Sequence, residues 1–452
     1  MQRVFGQLVL LVLLSELSCN QSIVHERAVL TDSVKVEFLH AWNAYKQYAW
    51  GHDALKPLSK QPHDWYGTSL CMTPVDAFDV ILLMGFSKEA AKAKKLILDN
   101  LSFDKDIEVQ AFEITIRLLA GLLSAYQMDG DRGFLRLAEE LGKRLLPIYN
   151  SRTGMPYRYV NLQTGKIRDS INNPAEIGTA MLEFGTLSKL TGNPIYYEKA
   201  KNALVQLYNR RSMIGLVGTW INVETGEWVN KTSHIGGAID SYYEYLIKAW
   251  LLFGDKECKE MWNESIKAIN IYLADTTHGG LWYCQADMDT GKRTGTFFGS
   301  LEAFFPAVLC LSGDIERAAK LQESCYKMWN LHGIEPEQID YASMKATDKR
   351  YYLRPEIIES AYYLYHFTED PKYLQMGKRF FKDIVKYCKT EAGYAYLRDV
   401  TTKEQADGME SFFFAETLKY LYLLFAPKET LPFENVIFTT EAHPIRRVKN
   451  NK

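Results

Sequence analysis

Leu252-Phe253-Gly254-Asp255 is the stretch that decides the fold, because it ends one helical pattern and begins the next. Glycine readily ends a helix in the left-handed conformation, and an aspartate or asparagine after it caps the following helix. Joints of this kind recur, the last two without the glycine, with central residues at positions 85, 130, 192, 254, 313, 369 and 425. The spacings of 45, 62, 62, 59, 56 and 56 residues predict seven helical hairpins of similar length.

A second repeating feature lies between these helical hairpins. Residues 157–165, 220–228, 282–291 and, more weakly, 394–403 alternate and then turn, which is typical of β-hairpins. Because they occupy the same place in each unit, we expect them to gather at one end of the molecule. The sequence therefore predicts an all-α fold, an (αα)7 barrel or toroid with short β-hairpins at one end. An open solenoid would need polar capping repeats, which the sequence does not show.

The composition is that of a globular protein. The chain has 452 residues, 47% hydrophobic and 24% charged, with a net charge of −2, which gives no electrostatic basis for binding nucleic acid. Its 28 tyrosines and 9 tryptophans suit stacking against sugar rings, and equally suit the filling of helical cores. Seven scattered cysteines without a Cys-x-x-Cys motif indicate neither a disulfide scaffold nor a zinc site. No linker divides the chain, so we expect a single domain over residues 33–445.

The N-terminus has the pattern of an export signal over residues 1–19. Arg3 supplies the charge, residues 9–14 form an apolar run, and Ser18-Cys19 provides small residues for cleavage. The apolar run is too short to span a bilayer, and no other stretch predicts a transmembrane helix. Cys19 also allows a lipoprotein-type signal, although Glu16 departs from the usual pattern. We therefore expect an exported protein, in the lumen of the endoplasmic reticulum or secreted, including into a bacterial periplasm.

The strongest candidate for chemistry is Leu353-Arg354-Pro355-Glu356-Ile357-Ile358-Glu359, at the entrance of an aromatic helix. Proline fits the first turn of a helix, and Glu356 would lie at the positive end of the helix dipole. Glu359 follows three residues later on the same face. An arginine and two carboxylates in this arrangement suit the binding of a polyol. A capped helix with a surface ion pair is the alternative interpretation.

Other acidic residues also begin helices just after the β-hairpins. Glu113 and Arg117 lie four residues apart on one face of an apolar helix, and Asp240 follows a glycine pair. Glu176 and Glu410 occupy similar places, and each of these residues alone is readily explained as a helix cap. Their shared position would direct several of them into one axial cavity. Clustered carboxylates without a His/Cys metal set or a Ser-His pair favour hydrolysis of a glycosidic bond, by one acid and one base.

Motifs along nearly the whole chain resemble glycoside hydrolase family 47, the class I α-1,2-mannosidases. In chain order they are Phe112-Glu113-Ile114-Thr115-Ile116-Arg117, Asp240-Ser241-Tyr242-Tyr243-Glu244-Tyr245-Leu246, Leu353-Arg354-Pro355-Glu356, Met409-Glu410-Ser411-Phe412-Phe413 and Thr440-Glu441-Ala442-His443. The resemblance implies an (αα)7 barrel and one bound Ca²⁺. It also implies removal of α-1,2-linked mannose from high-mannose N-glycans, with inversion at the anomeric carbon.

Carried over by position, the resemblance implies three catalytic carboxylates. Glu113 resembles the general acid, acting through water, and Glu356 resembles the base that activates the attacking water, with Asp240 competing or assisting. Thr440 resembles the residue that offers its hydroxyl and carbonyl oxygens to Ca²⁺, while waters supply the other ligands; oxygen-only ligation suits that ion. The residues implied to line the sugar site are Arg117, Glu176, Arg354, Glu359, Glu410 and Phe412.

Within the family, residues 299–306 resemble the EDEM-like branch, the mannosidases of endoplasmic-reticulum degradation. Processing mannosidases carry His and Cys where this chain has Ser300 and Ala303. Cys325 resembles the second cysteine of their disulfide, which cannot form with Ala303. Two free buried thiols are the favoured interpretation, and a Cys310–Cys325 bridge is the alternative. The implied partners are high-mannose N-glycans or glycoproteins, and an oxidoreductase partner stays open.

Two other functions are compatible with the same fold. A lectin-like protein would bind high-mannose glycans without hydrolysing them, but the presence of all three candidate catalytic carboxylates argues against it. A sugar epimerase or lyase on a helical toroid would be expected to place histidines in the cavity. The nine histidines here are scattered, and only His443 lies in a motif.

Overall fold

Helices form most of the molecule. The computed structural model describes the backbone of residues 2–447 and the side chains from residue 25 onward, so the predicted signal at residues 1–19, with Cys19, lies outside the described side chains. The α-helices are α1 (Gln2–Tyr48), α2 (Met72–Asp76), α3 (Phe78–Leu83), α4 (Ser87–Asn100), α5 (Ala111–Ile114), α6 (Ala120–Asp129), α7 (Arg132–Leu145), α8 (Pro174–Gly178), α9 (Met181–Thr191), α10 (Ile195–Tyr208), α11 (Asp240–Phe253), α12 (Lys256–Tyr272), α13 (Phe305–Ser312), α14 (Ile315–Asn330), α15 (Glu356–Thr368), α16 (Pro371–Cys388) and α17 (Lys419–Phe425).

The first six predicted joints between paired helices are confirmed. Gly130 and Gly254 end their helices in the left-handed region, with φ of 87° and 73°. Asp131 and Asp255 then cap the next helix, accepting hydrogen bonds from backbone N–H groups at 2.8 and 3.0 Å. At the sixth joint Glu369 takes the same conformation, with φ of 57°. Asp370 then caps α16 with its side chain, so this joint has the same form although it lacks a glycine.

The seventh joint differs from the prediction. Ala426 is extended after α17, and the residues that follow form short 3₁₀ turns rather than a second helix. The helix that packs beside α17 is α1, which comes from the other end of the chain. The N-terminal helix therefore completes the pair that the spacing had assigned to residues after 425.

The helices form two layers of an α/α barrel. In the inner layer α3, α6, α9, α11, α13, α15 and α17 each contact the next, and the turn that leads into α17 contacts α3. The outer layer consists of α4, α7, α10, α12, α14, α16 and α1. The hydrophobic core lies between the layers and includes the fully buried side chains of Trp42, Trp282 and Trp329.

The strands are short and, within residues 2–447, form antiparallel pairs and triplets rather than a closed sheet. They are β1 (Ala54–Lys56), β2 (Gln61–His63), β3 (Glu108–Gln110), β4 (Tyr159–Asn161), β5 (Ile167–Arg168), β6 (Ile171–Asn172), β7 (Trp220–Asn222), β8 (Trp228–Asn230), β9 (Thr232–Ser233), β10 (Ala274–Thr277), β11 (Gly280–Tyr283), β12 (Gln285–Asp287), β13 (Arg293–Gly295), β14 (Phe297–Gly299), β15 (Gln338–Asp340), β16 (Lys345–Asp348), β17 (Lys389–Thr390), β18 (Gly393–Tyr394), β19 (Tyr396–Asp399), β20 (Glu404–Ala406), β21 (Val436–Phe438) and β22 (Pro444–Arg446).

All four predicted β-hairpins are present, with bounds shifted towards the C-terminus. They are β4–β5, β7–β8, β12–β13 and β19–β20. The third begins at Gln285 rather than at 282, because β11 pairs with β10 instead. Two further hairpins of this series, β1–β2 and β15–β16, turn at Lys60 and Met344, both with positive φ. Neither turn contains the glycine on which the sequence pattern depended.

The hairpins hold the starts of the inner helices together. The strand that leads into an inner helix pairs with the hairpin of the following unit, as β3 does with β4, β6 with β7, β9 with β12, and β14 with β15. Bridges between Tyr351 and Leu397 and between Leu55 and Met409 continue the series. The connection from α4 to β3 has no hairpin, which accounts for the short spacing of 45 residues. The inner helices therefore begin at one common end.

Within the described residues, no helix combines the length and the apolar character that crossing a membrane requires.

Candidate active site

A cavity of about 370 Å³ lies between the inner helices, at the end where they begin. The predicted site residues that line it are Glu113, Arg117, Glu176, Asp240, Arg354, Glu356, Glu359, Phe412 and Thr440. Glu410 is not among the lining residues, and its carboxylate instead accepts a hydrogen bond from Trp65 Nε1 at 2.8 Å. No histidine is among the described residues that line the cavity. The structure thus brings five separate sequence motifs to one place.

Arg117 is held by carboxylates at one side of this cavity. Its Nε donates to Oε2 of Glu113 at 2.9 Å, its Nη2 lies 2.9 Å from the same oxygen, and its Nη1 pairs with Glu441. The guanidinium also lies over the rings of Trp65 and Phe412, 5.1 and 5.7 Å from their centroids. Because both contacts to Glu113 end on Oε2, its other oxygen remains available to a substrate or a water.

Two π-helical turns, Thr115–Leu119 and Phe413–Leu418, place residues in the cavity. The first carries Arg117 and the second carries Glu416, and both side chains reach the cavity. Turns of this kind are rare and are frequently found at functional sites. A sequence pattern read with an ordinary helical period gives no sign of them, which is why Glu416 was not predicted.

Asp240 and Glu356 are the first residues of α11 and α15. Asp240 accepts a hydrogen bond from the backbone N–H of Ser241 at 2.8 Å, whereas Oε2 of Glu356 is buried without a hydrogen-bond partner among the described residues. Burial raises the pKa of Asp240 to about 6 and that of Glu356 to about 7, although the charge of Arg354 lowers both. Asp240 further raises the pKa of Glu356, so both carboxylates change protonation close to neutral pH.

Arg354 is anchored by Glu337, a residue that the sequence did not single out. Its Nε donates to Oε2 of Glu337 at 3.2 Å, and the hydroxyl of Ser300 donates to the same carboxylate at 3.1 Å. Glu337 thus holds the guanidinium of Arg354 in place. Arg354 remains directed towards the cavity, where it lowers the pKa of Glu356.

Glu176 makes more hydrogen bonds than the other predicted carboxylates. It accepts from Gln110 at 3.0 Å, from Asn173 Nδ2 at 2.9 Å and from Arg158 Nη2 at 2.9 Å. Asn173 also caps α8 by accepting from the backbone N–H of Glu176 at 3.0 Å. With its donors fixed by the fold, Glu176 is suited to accept further hydrogen bonds from sugar hydroxyls rather than to transfer a proton.

Three further carboxylates line the cavity: Glu244, Glu416 and Glu441. Glu244 pairs with Lys248 one helical turn later, and both side chains are buried. Burial raises the pKa of Glu441 to about 8, and it raises that of Glu416 well above its ordinary value. The i, i+4 spacing of Glu244 and Lys248 inside an apolar helix is a signal that could have indicated this pair from sequence.

Thr440 lies in the same cavity, beside Glu441. Its backbone N–H donates to the hydroxyl of Tyr245 at 3.1 Å. Within the described part of the chain, no group of three or more His, Cys, Asp or Glu side chains is arranged to hold a metal ion. Thr440 nevertheless shares the cavity with the carboxylates of Glu359, Glu416 and Glu441, and oxygen donors are the ligands that Ca²⁺ prefers.

A second cavity of about 600 Å³ adjoins the first, and Gly237 and Leu301 line both. Its lining is polar, with hydroxyls, amides and carboxylates such as Thr219, Asn230 and Glu337, and with one half-exposed aromatic ring, Phe297. Such a lining suits hydrogen bonding to a chain of sugars.

None of the described cysteines lines either cavity. Cys310 and Cys325 are both buried and unpaired, as are the other described cysteines. The structure therefore contains the two free thiols that the sequence favoured over a Cys310–Cys325 bridge. Burial raises the pKa of the Cys310 thiol to about 12, so that it is unreactive at neutral pH.

Comparison with known proteins adds independent information. A sequence model of glycosyl hydrolase family 47 matches residues 37–447. The chain is 38% identical to Alpha-mannosidase I MNS5 of Arabidopsis thaliana, over 95% of this chain and 79% of that protein. It is 39% identical to ER degradation-enhancing alpha-mannosidase-like protein 2 of Mus musculus, over 92% and 77%. The structure of an alpha-1,2-mannosidase from Trichoderma reesei superimposes with a TM-score of 0.86 and 28% identity, covering 93% of this chain and 99% of that one.

Proposed function

The chain belongs to glycosyl hydrolase family 47, and on that premise we propose that it is an exo-acting, inverting, Ca²⁺-dependent α-1,2-mannosidase that trims high-mannose N-glycans. Its relatives include enzymes named for α-mannosidase activity, and its resemblance to the EDEM-like branch is matched by the murine relative. The observation that carries the proposal is the cavity between the inner helices, where Glu113, Asp240 and Glu356 are brought together with Arg117 and Phe412. A cavity of this size suits one terminal sugar.

In the proposed reaction Glu113 is the general acid. It delivers a proton, through a water, to the glycosidic oxygen as the bond to the anomeric carbon breaks. Arg117 holds Oε2 of Glu113 in place and leaves Oε1 to meet that water. Phe412 and Trp65 pack against the guanidinium, which limits how far it moves.

Glu356 is the proposed base, assisted by Asp240. A base must be ionised when it takes the proton of the attacking water, and the charge of Arg354 favours the ionised form of Glu356. Because the charge of Asp240 raises the pKa of Glu356, Glu356 holds a proton more readily while Asp240 is ionised. Asp240 can therefore assist by accepting charge or by exchanging the proton, and a water held between base and sugar gives inversion.

Ca²⁺ is the proposed cofactor, held by the hydroxyl and carbonyl oxygens of Thr440 together with water. The fit rests on the donor set, because Thr440 shares the cavity with Glu359, Glu416 and Glu441, whose pKa values are raised by burial and by neighbouring carboxylates. When bound, the ion would supply positive charge that orients sugar hydroxyls. The carboxylates of this chain would bind the outer waters of the ion and the sugar itself.

The finer architecture and location are part of the same proposal. We infer that seven helix pairs close into one (αα)7 toroid over residues 33–445, supported by the contact between α3 and the turn before α17. High-mannose N-glycans or glycoproteins are the proposed partners, and the second cavity suits the sugars beyond the terminal mannose. The lumen of the secretory pathway is the proposed location, in keeping with the name of the murine relative.

The test is a timed digest of a Man9 glycan by the purified protein, with Ca²⁺ and with EDTA. Mass spectrometry would follow the loss of mannose, and NMR would identify the anomer released. Release of β-mannose that EDTA abolishes would support the linkage, the inversion and the metal together. Binding of an intact glycan that is never shortened, with Ca²⁺ present, would replace this proposal by the lectin-like one.

A further inference from the structure

His443 is a fully buried cation beneath the cavity. Its Nδ1 lies 2.7 Å from Oδ2 of Asp79 and its Nε2 lies 2.9 Å from Oδ1 of Asp76. Burial lowers the pKa of the imidazole, but the two carboxylates outweigh burial and raise the pKa to about 9. Both ring nitrogens therefore donate, and the ring is fixed in one orientation.

The network continues from Asp79 to the last inner helix. The ammonium of Lys419 in α17 lies 2.7 Å from Oδ1 of Asp79 and donates to the carbonyl of Ala442 at 2.7 Å. The hydroxyl of Ser124 in α6 also donates to Asp79, at 3.1 Å. Burial raises the pKa of Asp79, but Lys419 and His443 together lower it below its ordinary value. Asp79 is thus a buried anion shared by three elements of the fold.

The same histidine closes the turn that carries Thr440 and Glu441 into the cavity. The backbone N–H of His443 donates to Oγ1 of Thr439 at 3.1 Å, and the N–H of Thr439 donates to the carbonyl of His443 at 3.0 Å. Lys419 fixes the carbonyl of Ala442 within this turn. The position of the turn therefore depends on the ion network below it.

Asp76 connects this network to the proposed acid. Its Oδ1 faces His443, and its Oδ2 lies 3.7 Å from Nη1 of Arg117, the nitrogen that also pairs with Glu441. Arg117 in turn holds Glu113. A continuous chain of charges runs from Lys419 through Asp79, His443, Asp76 and Arg117 to Glu113.

We propose that His443 is a positioning residue for the α-mannosidase reaction, because it sets the place of the 439–443 turn and, through Asp76, the orientation of Arg117 and Glu113. The inference rests on the proposed function. Buried ion networks contribute little to stability compared with apolar packing, and their best-attested use is to fix one arrangement among several. One end of this network reaches the cavity through Arg117 and Glu113. The other end, Lys419, contacts the turn that carries Thr440 into the cavity, as a positioning role requires.

Asp76→Asn is the most direct variant. It keeps the ion pairs of His443 with Asp79 and of Asp79 with Lys419, and it replaces the charged contacts of Asp76 with His443 and Arg117 by those of a neutral amide. We expect kcat on a Man9 glycan to fall at least tenfold, with KM within threefold and a melting temperature within a few degrees of wild type. Unchanged kcat in a folded Asp76→Asn variant would overturn the proposal.

A charge-compensated pair separates positioning from stability. His443→Gln removes the cation that pairs with both Asp76 and Asp79, so its melting temperature should fall. Asp76→Asn combined with His443→Gln removes one anion and one cation and keeps the Asp79–Lys419 pair, so stability should recover while kcat stays at least tenfold low. Recovery of kcat together with stability would show a purely structural role and overturn the proposal.

Asp383→Asn is the matched control. Asp383 is also buried and accepts from Trp329 Nε1 at 2.9 Å, but it lies between the outer helices α14 and α16. Its substitution should lower the melting temperature without changing kcat. If wild type releases no mannose, the proposed function fails, and the crystal structure of Asp76→Asn then decides the positioning claim. An Arg117 side chain superimposable on wild type would overturn it, and a displaced one would support it.

Discussion

Carboxylates are buried in two regions of the site, which stabilise them in different ways. The floor contains Asp76 and Asp79 around His443, and the wall contains Asp240 and Glu356. On the floor, Asp76 and Asp79 face His443, Lys419 and Arg117, and the charges of Lys419 and His443 hold the pKa of Asp79 below its ordinary value. On the wall, Asp240 and Glu356 have no cation in direct contact among the described side chains. Burial therefore prevails there and raises their pKa values to about 6 and about 7.

This difference gives the two regions different roles, because Asp79 carries a fixed charge whereas Asp240 and Glu356 can exchange protons. Asp79, whose pKa lies below its ordinary value, stays ionised near neutral pH, so it can hold geometry but cannot deliver protons. The wall carboxylates change protonation close to neutral pH, where general acid–base catalysis is most effective. Glu113 shares features of both regions. Its Oε2 accepts a hydrogen bond from Arg117, which contacts the floor, and its side chain lines the cavity.

Glu113→Gln tests this intermediate position and has the largest expected effect. The amide keeps the size of the side chain and can accept a hydrogen bond from Arg117, but it cannot deliver a proton. We expect kcat on a Man9 glycan to fall by at least ~10², the usual scale for losing a general acid, while glycan binding and the melting temperature change little. Single-turnover kinetics and calorimetric titration would measure the two effects.

Arg144→Gln is a suitable control for that substitution, since Arg144 makes an i, i+4 pair with Glu140 on the outside of the barrel. It should leave kcat unchanged. Normal turnover by Glu113→Gln would remove Glu113 from the reaction and leave the wall carboxylates to supply both acid and base.

Much of the fold could be predicted because its joints are local. Gly130-Asp131 and Gly254-Asp255 need only the left-handed preference of glycine and the capping ability of aspartate. The hairpins that turn at Lys60 and Met344 were not predicted, because a lysine or methionine gives no sequence signal for the positive φ that these residues adopt. The pairing of α1 with α17 is a contact between chain ends, and no local pattern encodes it.

The site divides in the same way. Glu113, Asp240 and Glu356 could be predicted because each begins a helix after a recognisable turn or lies in a motif. Glu416 could not, because a π-helical turn shifts the face on which it lies. Glu337 precedes a strand whose pattern is unremarkable, and its role becomes visible only through its contact with Arg354. Residues that act through long-range charge pairs leave little local trace in a sequence.

Glu356→Gln sharpens the description of the wall. The pKa of Glu356 rises from an ordinary value of 4.5 to about 7 on folding, so its contribution to stability is fully present below pH 4.5 and is lost as pH rises through 7. The neutral amide avoids that loss, and we expect a gain in the free energy of unfolding of at most about 3 kcal/mol at pH 8 and none at pH 4. Urea denaturation at the two pH values would measure it.

The same variant should lower kcat at least tenfold, with the residual rate supplied by Asp240. A variant less stable than wild type at pH 8 would show that Glu356 is ionised and stabilised in the folded protein. The contrast between wall and floor would then be wrong.

Glu335→Gln has the smallest expected effect on turnover. Glu335 is fully buried, neither of its carboxylate oxygens has a hydrogen-bond partner among the described residues, and burial together with the charge of Glu356 raises its pKa well above 4.5. It does not line the cavity, so we expect kcat to stay within about threefold of wild type. Its stability should nevertheless respond to pH as that of Glu356→Gln does, with a gain at pH 8 and none at pH 4. If the two variants change in stability with pH in the same way but differ in kcat, then access to the cavity, rather than a raised pKa alone, makes a buried carboxylate catalytic. A tenfold loss of kcat in Glu335→Gln would contradict that distinction.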